Sequence, residues 1–177
     1  SYNCGPAASE IVLDYWGEHI PQSDIANVAN CNPSWGSYAD DIMRTGHFSN
    51  ISTAVQNGSL QGYNERGLGY GSLECFWSYP GTGDPDYPDR YNDLKNLISA
   101  DYPVLMLGWY DAGHNGGHFR VIKGYDDGTN VFIVHDPWYT APYQGPNVHF
   151  SQTLLVDNLW TQYYRWATLI VPWEVEI

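Results

Sequence analysis

Hydrophobic residues in the first third of the chain recur at the three- and four-residue spacing of amphipathic helices. A first helix is predicted from Cys4 to the helix-ending Gly17, with Pro6 in the first turn, where proline is well tolerated. Shorter helices are predicted over residues 23–28 and 37–44, each opened by a serine that would cap it. The side chains predicted to face inward are Ala8, Ile11, Val12, Tyr15, Trp16, Ile25 and Val28.

Glycine, proline, asparagine and tyrosine are abundant from residue 56 to residue 90. Five of the glycines there argue against a long regular element, while closely spaced rings indicate a folded segment and not a linker. Helical spacing returns over residues 91–98. The glycines are Gly67, Gly69, Gly71, Gly81 and Gly83, the rings are Tyr63, Tyr70, Phe76, Trp77 and Tyr79, and the later helical positions are Tyr91, Leu94, Leu97 and Ile98.

The second half of the chain changes to short apolar runs with strand-like alternation. Strands are predicted over residues 103–109, 118–125 and 131–134, because each run is bounded by turn-forming residues. The turn sequence Asp-Asp-Gly at residues 126–128 joins the last two strands. This pair is therefore predicted to be an antiparallel hairpin.

The order of elements favours an α+β fold. A short helix over residues 151–160 and a last strand over 166–175 complete the pattern, so helices come first and an antiparallel sheet follows. A chain of 177 residues is long enough to bury one substantial core. We expect a single domain over residues 1–177, with a helical half of about 1–100 and a sheet half of about 101–177.

Charge and hydropathy exclude several classes of partner. The chain has 20 acidic residues against 7 lysines and arginines, a formal net charge of −13. Nucleic acids and anionic membranes both need basic protein surface, so neither is an expected partner. No apolar run approaches the ~20 residues needed to span a bilayer, so no membrane span is expected.

Three residues have the chemistry of a cysteine hydrolase. Cys4 lies at the predicted start of a helix, His118 opens a predicted strand, and Asp136 follows the next strand. In such enzymes a thiolate attacks, an imidazole transfers protons and a carboxylate orients the ring. A helix N-terminus and a neighbouring imidazolium both favour the thiolate form. Because antiparallel neighbours bring these positions of His118 and Asp136 to one sheet edge, their side chains should come within reach.

The other histidines and the clustered aspartates fit a metal site poorly. His114 and His118 are four residues apart, as in a zinc-binding helix, but two glycines lie between them and no H-E-x-x-H glutamate is present. His135 should point away from the face that carries Asp136, which indicates a structural role. The three aspartates within residues 84–89 match no calcium-binding loop. Neither a metal nor a cofactor is therefore expected.

Cys31 and Cys75 form an even pair once Cys4 is set aside as a thiol nucleophile. A disulfide between them is predicted from this parity, and the alternative is that both are reduced and buried as small apolar residues. A disulfide would indicate an oxidising compartment. Together with the acidic composition, it favours a secreted or extracytoplasmic location.

Three motifs resemble those of papain-like cysteine peptidases. The run N-C-G-P-A at residues 3–7 is similar to a nucleophile box, G-H-F at 117–119 to a histidine strand, and H-D-P at 135–137 to a carboxylate box. The resemblance is closest to the bacteriocin-processing peptidases that trim double-glycine leaders, and to their stand-alone relatives. It implies a papain-like fold, in which the nucleophile helix packs against a C-terminal antiparallel sheet.

The motifs depart from the papain-like pattern at the oxyanion hole. In papain-like enzymes a glutamine several residues before the nucleophile donates a hydrogen bond to the oxyanion, and that position would precede Ser1. A longer precursor could supply it, Asn3 or another donor could replace it, or the hole could be incomplete. The substrate class does not carry over, because residues 38–54 and the long aromatic segment are not explained by the leader peptidases.

The sequence thus predicts a thiol-dependent hydrolase that cleaves peptide or amide bonds through Cys4, His118 and Asp136. The substrate partner would be a peptide or an amide, and an acyl-transfer enzyme would use the same three residues. The alternative is a papain-like binding module, with weak or no activity, that holds a peptide or a glycan in an aromatic groove.

Overall fold

The computed structural model describes residues 2–46, 70–76, 90–139 and 145–172. Several residues that were named in the sequence analysis lie outside these ranges. They are the glycines Gly67, Gly69, Gly81 and Gly83, the rings Tyr63, Trp77 and Tyr79, and the aspartates Asp84, Asp86 and Asp89.

The chain divides into two compact units. The helical unit comprises Ser1–Leu73 with Ile170–Ile177, and the sheet unit comprises Glu74–Leu169. The prediction of a single domain with a boundary near residue 100 stays a prediction, because compact units are defined by contacts and not by independent folding.

The helical unit contains three short helices: α1 at Cys4–Tyr15, α2 at Gln22–Val28 and α3 at Ala39–Met43, the last continued by a 3-10 turn at Arg44–Gly46. Helix α1 ends as predicted, since Gly17 adopts a φ of +89°, a conformation that favours glycine. Helix α1 packs against α2 and α3.

The buried face of α1 differs by about one residue from the predicted one. Leu13 is buried in place of Ile11, which is half-buried, and Tyr15 is 52% exposed. One reason is that Ser9 is also buried, where its hydroxyl accepts a hydrogen bond from Thr45 Oγ1 at 2.9 Å. A polar position inside the apolar stripe cannot be predicted from hydrophobic spacing alone.

The serines predicted as helix caps do not serve as caps. Helix α2 is preceded by Pro21 and α3 by Tyr38, and neither helix has a side-chain cap hydrogen bond. Ser23 instead lies within α2. The serine at position 37 is one residue too early to bond the first turn of α3 as an N-cap.

The strands form one six-stranded sheet in the order β1-β6-β2-β3-β4-β5. The strands β2, β3, β4 and β5 pair successively and antiparallel, and β2 also pairs antiparallel with β6. Their ranges are β1 at Tyr70–Phe76, β2 at Val104–Trp109, β3 at Gly117–Asp126, β4 at Val131–Asp136, β5 at Gly145–Ser151 and β6 at Trp166–Pro172.

The sheet unit also contains helix α4, at Arg90–Ser99, which packs on β3 and β2. The predicted helix over residues 151–160 is displaced, because β5 continues to Ser151. A one-turn π-helix at Leu154–Asn158 and a 3-10 helix at Leu159–Arg165 follow instead. The core between these elements is mainly apolar and aromatic, and its large buried apolar members include Trp160, Trp166, Phe132, Phe150, Leu105 and Met106.

The predicted hairpin is present. Strands β3 and β4 pair antiparallel with Val121 opposite His135, and a bulge at Lys123 shifts the register toward the turn. The bulge leaves the pairing at the other end of the hairpin regular, which is the end that carries His118 and Asp136.

The predicted disulfide between Cys31 and Cys75 is wrong. All three cysteines lie in the described part of the chain, and none is joined to another. The Cys31 thiol instead donates hydrogen bonds to Tyr2 O at 3.3 Å and to Asn3 Oδ1 at 3.4 Å. An even count of cysteines does not bring two of them together, since a disulfide requires Cα atoms within ~7 Å.

Gly108 marks a close approach between β2 and the 3-10 helix at Leu159–Arg165. A Cβ at this position would lie 2.6 Å from Met106 Cε and 2.8 Å from the backbone oxygen of Leu159. We expect Gly108→Ala to lower the free energy of unfolding by about 1–3 kcal/mol, because the backbone must move apart. Urea denaturation would measure this, with Gly128→Ala in the exposed hairpin turn as the control. Equal denaturation midpoints for the two variants would contradict the prediction.

Candidate active site

The structure places the three sequence-predicted site residues in two different units. His118 and Asp136 lie in the sheet unit, on neighbouring strands, and are in contact. Cys4 lies in the helical unit, as the first residue of α1. The approach of the Cys4 sulfur to His118 stays a prediction.

The pairing of β3 with β4 brings His118 and Asp136 together. Val121 lies opposite His135, so Asp136 comes level with Arg120, two residues along β3 from His118. Residues two apart on a strand point to the same face, and a neighbouring strand presents its side chains to that face at the matching positions. The His118 Nε2 atom consequently lies 2.9 Å from Asp136 Oδ1 and 3.0 Å from Oδ2.

His118 is wholly buried, with two aromatic rings against its imidazole. The Tyr110 ring meets it edge-on, with centroids 5.6 Å apart, and the Trp138 ring lies 4.4 Å away at a tilt of 52°. The other ring nitrogen, Nδ1, has no hydrogen-bond partner among the described residues. Because Nε2 is held by a carboxylate, Nδ1 is the nitrogen that can exchange a proton with a reacting group.

The surroundings favour the neutral form of His118. Burial is the largest cause that lowers the pKa of the imidazole below its usual value, and the charge of Arg120 lowers it further. The hydrogen bond to Asp136 and the charge of that carboxylate oppose both effects. A neutral imidazole with Nε2 as donor can accept a proton at Nδ1, as a general base must.

Arg120 is part of this cluster, and the sequence analysis did not identify it. Its side chain is fully buried, and Nε donates to Asp136 Oδ2 at 2.7 Å. The available signal was its position on β3, since a charged residue two places after His118 in an apolar strand must share its face. Buried charges are rare without a partner, so the position of Arg120 on this strand predicts a carboxylate close to it.

The Asp136 carboxylate accepts hydrogen bonds from three residues. Besides His118 and Arg120, the backbone N–H of Trp138 donates to Oδ1 at 2.9 Å. Pro137 lies between and has no N–H to donate, so the turn presents the Trp138 amide instead. These donors compensate a carboxylate that is fully buried, which would otherwise be costly.

Cys4 occupies the position in the helical unit that the sequence predicted. It is the first residue of α1, it is 9% exposed, and the first turn contains no acidic residue. Asn3 precedes the helix, but its side chain does not cap it. The Oδ1 atom of Asn3 instead accepts a hydrogen bond from the Cys31 thiol. The N–H groups of a first helical turn are donors that the helix itself does not satisfy, and they stabilise a nearby negative charge.

The remaining histidines have other surroundings. The His114 ring stacks on Trp109, with centroids 4.9 Å apart and an interplanar angle of 13°. Burial, and then the charge of Lys123, lower the pKa of His135. Within the described ranges, no group of three or more His, Cys, Asp or Glu side chains could hold a metal ion.

Comparison with known proteins supports the fold and the family. The model of the Peptidase_C39-like family matches residues 1–165. The structure is similar to the peptidase domain of Streptococcus ComA, a bifunctional ABC transporter involved in a quorum-sensing pathway. That match has a TM-score of 0.59 at 14% identity, and it covers 96% of this chain and 91% of the other. No curated protein sequence matches the chain.

The structural likeness confirms the predicted α+β, papain-like fold, and the family match confirms the predicted relationship to the bacteriocin-processing peptidases. Among the described helices, none combines the length and the apolar character that crossing a membrane requires. A peptidase family implies a peptide substrate and a cysteine peptidase type of function. With its model matched over residues 1–165, the chain belongs to the Peptidase_C39-like family.

Proposed function

We propose that this protein is a thiol hydrolase that cleaves peptide or amide bonds through Cys4, His118 and Asp136. The observation that carries the proposal is the buried His118–Asp136 pair, in which Nε2 is held and Nδ1 has no hydrogen-bond partner within the described ranges. Cys4 at the start of α1 supplies the nucleophile that such a pair would serve.

The reaction would proceed in two halves. His118 takes the thiol proton of Cys4 at Nδ1, and the resulting thiolate attacks the carbonyl carbon and forms a C–S bond, giving a tetrahedral oxyanion. The imidazolium of His118 then gives its Nδ1 proton to the leaving nitrogen, the C–N bond breaks, and a thioester remains. His118 next takes a proton from water, which attacks the thioester. The C–S bond breaks, the carboxylic acid leaves, and the thiolate and imidazolium are restored.

Backbone amides at the start of α1 would stabilise the oxyanion. The Cys4 N–H belongs to the first helical turn, and such donors do not bond within their own helix. Each donor of this kind is typically worth ~2.7–4 kcal/mol in the transition state. Asn3 lies directly beside Cys4 and is the nearest side chain in sequence that could add a second donor.

Selective labelling of Cys4 tests the proposal. We expect iodoacetamide, followed by peptide mapping, to alkylate Cys4 at least about tenfold faster than Cys31 or Cys75 near neutral pH, since thiolates alone react. Cys75 is a suitable slow reference, because burial and then Glu74 raise the pKa of its thiol to about 11. The His118→Ala variant should slow labelling at Cys4 and leave the other two rates unchanged.

Equal or slower alkylation at Cys4 would contradict the assignment of the nucleophile. A second comparison separates hydrolysis from mere reactivity: wild type and Cys4→Ser are incubated with a mixed peptide library, and new termini are found by mass spectrometry. Cleavage by the wild type alone is the expected result.

A binding function is the second candidate, and exposed rings in the helical unit favour it. Tyr2, Trp35 and Tyr38 are 45%, 62% and 66% exposed, and Tyr and Trp rings are enriched at interfaces. Calorimetric titration of the Cys4→Ala variant with the same peptides would reveal binding. Binding by Cys4→Ala, together with no cleavage by the wild type, would favour this second candidate.

A further inference from the structure

Arg120 is a buried cation that joins the His118–Asp136 pair to the end of strand β2. Its Nη1 donates to Trp109 O at 2.8 Å and its Nη2 to Tyr110 O at 2.7 Å, while Nε holds Asp136 Oδ2. The guanidinium carbon also lies over the Phe150 ring, 5.4 Å from its centroid. All three nitrogens of the guanidinium are therefore engaged, and its plane is fixed.

This arrangement restricts how the Asp136 carboxylate can turn. Arg120 holds Oδ2 from one side, and the Trp138 amide holds Oδ1 from the other. With both oxygens held, the carboxylate can present both of them to His118 Nε2, at 2.9 and 3.0 Å. If His118 were its only partner, the carboxylate could rotate about the Cβ–Cγ bond of Asp136, and the His118 ring could change its orientation with it.

We propose that Arg120 is a positioning residue that acts through Asp136 and thereby sets both the orientation and the basicity of the His118 imidazole. The inference rests on the proposed function, because the ring so held is the proposed acid and base. The same hydrogen bonds would also be present if Arg120 only cross-linked β2 and β4. The test must therefore measure a property of the His118 ring.

The charges that face His118 determine the direction in which its pKa should change when Arg120 is replaced. Within the sheet unit they are the Asp136 carboxylate on β4 and the Arg120 guanidinium on β3, which compensate each other, and Tyr110 after β2 adds a titratable phenol. With Arg120 replaced by an uncharged side chain, the imidazolium would become the main counter-ion of a buried carboxylate. An opposite charge at this range favours the charged form, so the pKa of His118 should rise.

The test follows the His118 ring by NMR in protein labelled with nitrogen-15 at histidine. A Cys4→Ala background removes the thiol, so the titration does not depend on the proposed nucleophile. We expect Arg120→Met to raise the pKa of His118 by at least about one unit, and Arg120→Lys to keep it close to that of the parent. The matched control is Arg165→Met, which removes another arginine with a backbone bond, from Arg165 Nε to Val156 O.

An unchanged His118 titration in Arg120→Met, alongside a lower melting temperature, would show a purely structural role and overturn the proposal. If Arg120→Met does not fold, the Nε2 proton of His118 is compared between Arg120→Lys and the parent. Lysine cannot reproduce the three fixed bonds, so this proton should exchange about five- to tenfold faster. Unchanged exchange would overturn the proposal.

These readouts are independent of the test of the proposed function. Slow alkylation of Cys4 would contradict its role as the nucleophile. The His118 titration in the Cys4→Ala background would still show whether Arg120 controls the pKa of the ring. Fast alkylation of Cys4, together with an unchanged His118 titration in Arg120→Met, would support the proposed hydrolase and contradict the proposed role of Arg120.

Discussion

Replacing Asp136 by asparagine is expected to lower turnover by up to about 10⁴-fold, the loss seen when the aspartate of a serine triad is changed in this way. The asparagine can still bond to His118 Nε2, but it cannot stabilise the positive charge that the ring carries in the proposed reaction. The figure is an upper guide, because in the proposed reaction a thiolate–imidazolium pair would form before the substrate binds. Steady-state kinetics on a peptide that the wild type cleaves would measure the loss.

The same substitution is also expected to destabilise the protein, and here the structure changes the expectation. Asparagine is close to aspartate in size and shape, but Arg120 is buried against this carboxylate and would lose its charged partner. Removing one partner of a buried ion pair typically costs about 3–5 kcal/mol. Urea denaturation would measure this cost.

A matched control for Asp136→Asn exists on the surface of the sheet unit. Asp157 pairs with Arg90 at 2.9 Å, but both side chains are partly exposed, so Asp157→Asn should cost at most about 1 kcal/mol. The double variant Asp136→Asn with Arg120→Met should recover part of the lost stability, since it removes both buried charges. Wild-type turnover in Asp136→Asn would remove Asp136 from the mechanism.

The Cys4→Ser variant is expected to abolish detectable hydrolysis while keeping the fold. Loss of the nucleophile in a serine protease costs about 10⁶-fold in kcat, and a serine hydroxyl is a much weaker nucleophile here because no thiolate can form. Serine is close in size to cysteine, so the buried N-terminus of α1 should be little disturbed. Circular dichroism and single-turnover kinetics would measure fold and activity.

Cys31→Ser is the matched control for Cys4→Ser. The Cys31 thiol donates to Tyr2 O and Asn3 Oδ1, and a serine hydroxyl can donate to the same oxygens. We therefore expect Cys31→Ser to retain most of the activity. Measurable turnover by Cys4→Ser, above that of an uncatalysed control, would contradict the role of Cys4.

The strands that sequence analysis missed have a common physical reason. Strand β5 at Gly145–Ser151 has only two large apolar residues, Val148 and Phe150, and starts with a glycine and a proline, and β1 at Tyr70–Phe76 includes a glycine. Such segments carry little hydrophobic alternation of their own. Their pairing depends on the neighbouring strands, and those neighbours are not adjacent in sequence for β1, which lies beside β6.

By itself, the sequence determined that helices precede an antiparallel sheet, the β3–β4 hairpin, and the presence of a thiol, an imidazole and a carboxylate at the ends of elements. These features are local: they follow from hydrophobic spacing, turn residues and short motifs within a few residues of one another. The hairpin pairing alone was enough to predict that His118 and Asp136 would come within reach.

Only the tertiary structure decided which groups complete and compensate this pair. Arg120 reaches the carbonyl groups of Trp109 and Tyr110, and the Cys31 thiol reaches Tyr2 and Asn3 where a disulfide was predicted. Buried polar groups must find partners wherever the packed chain offers them, and those partners are separated in sequence by 10 and 11 residues for Arg120 and by 28 and 29 for Cys31. No local pattern carries that information, because the requirement arises only when the surrounding side chains exclude water.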